Sequence, residues 1–169
     1  MICRGAYWRQ GGTFPTQIEP SEAMAPGVPN EELARGRGCF REHKADTSEW
    51  PLIAPSHELP FDEMRGILGN AVAMRAYRQK TLPFPDAALL VKFAWKHLPS
   101  TECEGAFRPC RATTIQAMFD SKCYAAAGGW GFGRFVDGKP VDQVQHESCF
   151  GCHAAYVKDH DFVFTRYAL

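Results

Sequence analysis

The residues best suited to chemistry lie together near the end of the chain: Cys149-Phe150-Gly151-Cys152-His153. Two thiols separated by two residues and followed directly by an imidazole match the C-x-x-C-H pattern, in which each thiol adds to one vinyl group of a haem. On a helical turn that gap matches the distance between the vinyls. The adjoining histidine then lies under the ring, where its imidazole reaches the iron. A bare C-x-x-C pair also serves redox or zinc chemistry, but a zinc site wants a second ligand pair at similar spacing, and Cys103 and Cys110 do not provide it. The motif predicts one covalently attached haem c, bound by Cys149, Cys152 and His153, with His153 as the metal ligand.

What stands on the other side of the iron decides the chemistry. An electron carrier needs a strong sixth ligand, whereas a gas-binding or catalytic haem leaves that position open. Met64, Met74, Met118, His57, His97, His146 and His160 are the candidates, and none sits in a setting that marks it as a ligand.

The elements that must position these groups read as follows. At 169 residues the chain fits one domain. Residues 1–30 are rich in Gly and Pro and read as extended coil, and residues 31–169 as the single haem-binding domain. Residues 31–43 form a short helix weakened by Gly36 and Gly38. An irregular stretch with Pro51, Pro55 and Pro60 follows. Strands are expected over 63–68, 87–96, 113–119, 128–136 and 161–167, and a helix over 71–79 with Asn70 as its N-cap. A loop holding Cys103, Pro109 and Cys110 separates the second and third strands, and Asp137-Gly138 makes a turn. The haem motif opens a short helix. The expected fold class is α+β, mainly antiparallel β, one sheet-based domain with a few short helices.

Composition excludes several function classes. Apolar residues make up 45% and charged ones 22%, as in a folded protein rather than a disordered one. The net charge is +0, from 19 basic and 19 acidic residues, so no basic field exists to hold nucleic acid. No apolar run is long enough to span a membrane. Of seven cysteines, the motif takes two, and the odd remainder of Cys3, Cys39, Cys103, Cys110 and Cys123 cannot pair completely within the chain. Cys103 with Cys110 is one candidate disulfide, and buried free thiols are the alternative. In bacteria, haem is attached covalently on the periplasmic side, yet the start MICRGAYW lacks a secretory pattern. A signal upstream of the printed chain is therefore expected.

Five segments occur in an informative order: FDEMRGILGN at 61–70, FPDAALLVK ending at Lys92, GGWGF at 128–132, CFGCH at the motif and DFVFTR at the close. Together they resemble the cytochrome P-460 and cytochrome c′-beta family over about residues 50–167. The resemblance implies a mainly antiparallel β fold, a homodimer and a five-coordinate c-type haem. Members similar to cytochrome P-460 oxidise hydroxylamine and bind nitric oxide. Lys92 matches the lysine that such members cross-link to the haem edge, and Arg65 matches their distal arginine. These two are the expected catalytic residues. The oxidising members also carry a distal glutamate one strand before the GGW segment. Here that position falls near Thr113 or Thr114, neither of which can act as a base, and Glu102 and Glu104 lie in the preceding loop. Phe93, Phe107, Ile115 and Phe119 are expected to form an apolar distal cap, as in cytochrome c′-beta. The combined expectation is a periplasmic monohaem cytochrome whose open site binds or transforms small nitrogen oxides, with another cytochrome as redox partner. Whether it is an enzyme stays open. The alternative is an electron-transfer cytochrome, or a subunit of a larger complex, with a six-coordinate haem.

Acid–acetone extraction of the purified protein should leave the haem on the polypeptide. Haem that passes into the solvent would overturn the covalent reading of Cys149 and Cys152.

Overall fold

The computed structural model describes residues 17–18, 45–47, 49–120, 122–136, 139–140 and 143–168. Two short strands, β1 (Gln17–Ile18) and β2 (Ala45–Asp46), pair with each other. The main sheet has six antiparallel strands in chain order: β3 (Leu52–Glu58), β4 (Glu63–Gly69), β5 (Leu89–Pro99), β6 (Phe107–Asp120), β7 (Trp130–Val136) and β8 (Lys139–Pro140). Helix α1 (Ala71–Gln79) joins β4 to β5, and α2 (Gln143–Tyr156) follows β8. The α+β, mainly antiparallel expectation is met.

Asn70 shows how local chemistry sets this frame. Its Oδ1 accepts hydrogen bonds from the amides of Ala73 (3.0 Å) and Leu89 (3.2 Å), and its Nδ2 donates to the Ala87 carbonyl (2.9 Å). One side chain therefore caps α1 and ties that cap to the first residue of β5. Lys80, in the left-handed region (φ 54), closes the helix at its other end.

Several sequence expectations need correction. The proline-bearing stretch read as irregular contains β3. It is an edge strand, so Pro55 need not donate to a ladder, while Pro60 sits in the 3-10 turn Leu59–Phe61. Strand β5 begins at Leu89, because Ala87 turns through a φ of 70. Pro109 and Cys110 lie inside β6 and not in a loop. Strand β7 starts at Trp130, after Gly128 and Gly129 at positive φ. The strand expected over 161–167 does not form, since Asp161 and Phe162 both take left-handed conformations (φ 52 and 60). The helix expected at 31–43, the turn at Asp137-Gly138 and all of 1–30 except Gln17–Ile18 lie outside the described residues.

The sheet is apolar on both faces. On one, Leu89, Val91, Phe93, Ile115, Ala117, Phe119 and Phe135 pack with Tyr124 and Ala127. On the other, Ile53, Ile67, Leu90 and Phe132 pack with Ala73, Met74 and Tyr77 of α1 and with Val163. Full burial of a side chain such as Val91 contributes about 2 kcal/mol. This second face also carries the cavity described below. No described helix is long and apolar enough to cross a membrane.

At the end of β6, burial and then the neighbouring Asp161 and Asp86 push the Asp120 carboxyl up to about 7. The folded chain then holds a proton between about pH 4 and pH 7 that the unfolded chain releases, so stability falls as pH rises through that window. Asp120→Asn should flatten this decline, as read from thermal unfolding at pH 4.5 and pH 7.5. An undiminished decline would place the cause elsewhere.

Candidate functional site

Cys149, Cys152 and His153 stand at i, i+3 and i+4 on α2 and so share one helix face. The motif lies in the second half of this helix rather than opening it, which corrects the sequence expectation. All three residues line a cavity of about 650 Å³ between α2, the second sheet face and the segment 163–166. Burial raises the Cys149 thiol pKa, which keeps it protonated.

His153 is held from several directions. Its Nδ1 is 2.6 Å from the Phe162 carbonyl, so Nδ1–H is the donor and Nε2 is left available to a metal. The rings of Phe132 and Phe164 lie edge-on to the imidazole, with centroids at 5.0 Å and 4.8 Å. Burial, opposed by that carbonyl and aided by Lys92, pulls the imidazole pKa below its ordinary value and favours the neutral, ligating form. The carbonyl is aimed by the left-handed turn at Asp161 and Phe162, and Asp161 is itself tied down by the Phe84 amide donating to its Oδ2 (2.7 Å). Gly128 (φ +66) makes room for this turn: a Cβ there would sit 2.2 Å from the Phe162 ring.

Lys92 and Arg65 line the same cavity, from β5 and β4. Burial, then the charge of Arg65, pulls the Lys92 ammonium down to about 8, with Glu63 and Cys149 opposing. About a tenth of the side chain is then neutral and nucleophilic at pH 7. The Arg65 guanidinium donates Nε and Nη2 to Glu63 Oε2 (3.1 and 3.0 Å), and it stacks on Phe61 at 5.1 Å. Thr113 donates its hydroxyl to Glu63 Oε1 (3.1 Å). Sequence reasoning missed Glu63. The pairing of β5 with β6 shifts register near Trp95, at the position of Thr113, and no local signal shows such a shift. Phe162, Phe164, Phe132 and Arg166 were missed for a similar reason, since each reaches the site through tertiary packing.

Other expectations fail on geometry. Phe93, Ile115 and Phe119 belong to the core on the opposite face, and Phe107 is exposed beside His57 and His97, so these four do not cap the cavity. Glu102 and Glu104 are exposed in the loop before β6 and do not line it. Of the sixth-ligand candidates, Met118 alone lines the cavity among described side chains. It pairs across the strands with Leu90 and Phe132, on the sheet face that forms one wall of the cavity. Met74 is core under α1, and strand alternation puts Met64, His57 and His97 on the face away from the cavity. His160 bonds to Arg166, and the His146 side chain lies outside the described residues. Cys103 is a free, exposed thiol whereas Cys110 is disulfide-bonded, so they are not partners.

A haem fits these observations: an apolar-walled cavity of suitable size, two thiols and an oriented neutral imidazole on one helix face, and cationic Arg65 and Arg166 in the lining for the acidic groups of a porphyrin. A family model described as Cytochrome P460 matches residues 44–165. No curated protein matches the chain.

Gly128→Ala should cost at least about 2 kcal/mol, since it adds backbone strain and displaces the Phe162 ring. It should also loosen His153, visible as a changed haem spectrum in whatever folded protein remains. A variant with wild-type stability and spectrum would refute the role given to this turn.

Proposed function

Because the chain belongs to the cytochrome P460 family, we propose that it is a periplasmic monohaem c-type cytochrome whose open site binds or transforms nitric oxide or hydroxylamine. Family membership implies the haem. The rest of the reading is supported by one observation above all: of the described Met and His side chains other than His153, Met118 alone reaches the cavity. The wall of β3, β4 and β5 instead presents Arg65 and Lys92.

Each residue then has a task. Cys149 and Cys152 would hold the haem through thioether bonds to its two vinyl groups. His153 supplies Nε2 to the iron, which when bound provides the redox chemistry. Arg65, braced by Glu63 and Phe61, presents a fixed cation to an anionic ligand or to a propionate. Lys92 presents the amine that would hold the haem edge in a cross-linked form. Hydroxylamine oxidation must also shed protons. With Thr113 and Thr114 unable to accept them, the carboxylate in the cavity lining is Glu58, 3.7 Å from Arg65, while Glu63 is taken up by Arg65 and Thr113. A homodimer and an electron-accepting cytochrome complete the reading, consistent with the exposed Phe61 in the cavity lining and the exposed Leu59 near it in the chain.

Optical and EPR spectra of the purified protein test this directly. A high-spin ferric haem that takes up nitric oxide, with the Lys92 tryptic peptide joined to the haem peptide of Cys149 and Cys152, is the expected result. A low-spin six-coordinate haem would instead establish the electron-carrier alternative. Absence of the joined peptide, with Lys92→Ala leaving the spectrum unchanged, would remove the cross-link alone.

A further inference from the structure

His57 on β3 and His97 on β5 bring two imidazoles together on the sheet face away from the cavity. His57 Nε2 lies 3.0 Å from His97 Nδ1, the ring centroids are 4.6 Å apart and the planes are nearly perpendicular at 87°. The other nitrogen of His97, Nε2, is 3.1 Å from Asp62 Oδ1. Asp62 is held by the Lys96 ammonium at 3.6 Å, which also donates to the Phe61 carbonyl at 2.8 Å. Phe107 packs on both imidazoles, at 5.1 Å and 4.5 Å, and fixes their orientation.

This is the arrangement of a metal-binding histidine with its supporting carboxylate. Asp62 accepts the Nε2 proton of His97, which fixes the tautomer and leaves the Nδ1 lone pair facing His57. The ring separation carries a second message. Two imidazoles joined by a straight hydrogen bond of this length would have centres about 5.3 Å apart. The shorter separation means each ring axis is bent from the nitrogen–nitrogen line by about 45° on average, roughly the bend that two ligands of one ion at about 2.0 Å require. Nitrogens in adjacent positions of a tetragonal ion stand about 2.9 Å apart and those of a tetrahedral ion about 3.3 Å, so the 3.0 Å spacing is nearer the tetragonal value. Imidazole pairs in that geometry suit copper(II), the tightest-binding ion of the first-row divalent series. Met64, the cross-strand partner of His57, adds a thioether to the same face, a ligand type that also favours copper.

We propose that His57 and His97 form a copper site, with Asp62 as the carboxylate that orients His97 and water in the remaining positions. Among the described residues no group of three or more His, Cys, Asp or Glu gathers around one ion position, so the site is an open, exchangeable one. On binding, the ion takes the place of the proton between the two rings, and that proton moves to Nδ1 of His57, leaving both imidazoles neutral. The site is independent of the haem reading, since it shares no residue with the cavity.

The test uses the haem-loaded full chain in a Cys103→Ser background, which removes the exposed thiol as a competing ligand. After chelator treatment the protein is titrated with copper(II) alone, followed by calorimetry, metal analysis and the nitrogen splitting of the copper EPR signal. One copper per chain is expected with micromolar or better affinity and two nitrogen ligands. His57→Gln and His97→Gln should each weaken it more than about tenfold, and Asp62→Asn by about tenfold, with the Soret band unmoved. No uptake at micromolar copper would overturn the proposal. So would binding that survives the double His57→Gln, His97→Gln change, because the ion would then sit elsewhere.

Discussion

The site depends on one short hydrogen bond, from His153 Nδ1 to the Phe162 carbonyl at 2.6 Å. A histidine next to a reactive cysteine pair is useful only if one nitrogen is committed and the other is free, and this bond makes that choice. The bond in turn requires a chain reversal at Asp161 and Phe162 in left-handed conformations, which side-chain-bearing residues adopt at a cost. The strain is carried by contacts around it: the Phe84 amide on Asp161, Gly128 beneath the Phe162 ring, and the ring of Phe150 against that of Phe162 at 5.6 Å. The left-handed turn after α2 therefore acts on the imidazole inside it.

The sheet has a different job, which is to keep two environments apart. Along β5, Leu89, Val91 and Phe93 pack into a dry core, while Leu90 and Lys92 face the cavity between them. Because side chains alternate, a lysine can stand in the middle of an otherwise apolar strand without entering that core. Its setting is still costly enough to lower the ammonium pKa to about 8. Arg65, Glu63 and Thr113 solve the same problem on neighbouring strands by bonding to one another.

What was legible in the sequence was local. The C-x-x-C-H spacing, the Asn70 cap and the apolar run of β5 each declare themselves within a few residues. The face of the sheet did not. Nothing in the apolar runs of β5 and β6, which hold Phe93, Ile115 and Phe119, says which side faces the cavity, so the three were placed on the wrong one. Prolines misled at β3, because only the edge position of that strand makes Pro55 harmless. The alternating DFVFTRY stretch misled in the opposite sense. Its pattern suits a strand, but Asp161 is bonded to the Phe84 amide and Phe162 is turned toward His153, contacts made by residues distant in the chain. Glu63 was invisible because Thr113 reaches it only through a register shift between β5 and β6.

The sheet's connectivity also bears on the order in which the molecule assembles. Among the described residues each strand from β3 to β8 pairs with its neighbours in sequence, so the pairings are local, the longest connection running through α1 between β4 and β5. The helix that carries both thiols comes after the last of these strands. The sheet can therefore pair before that helix docks, leaving the face of Cys149, Cys152 and His153 open until it does. Docking of α2 and the final turn would then close the cavity last, over whatever that helix face holds.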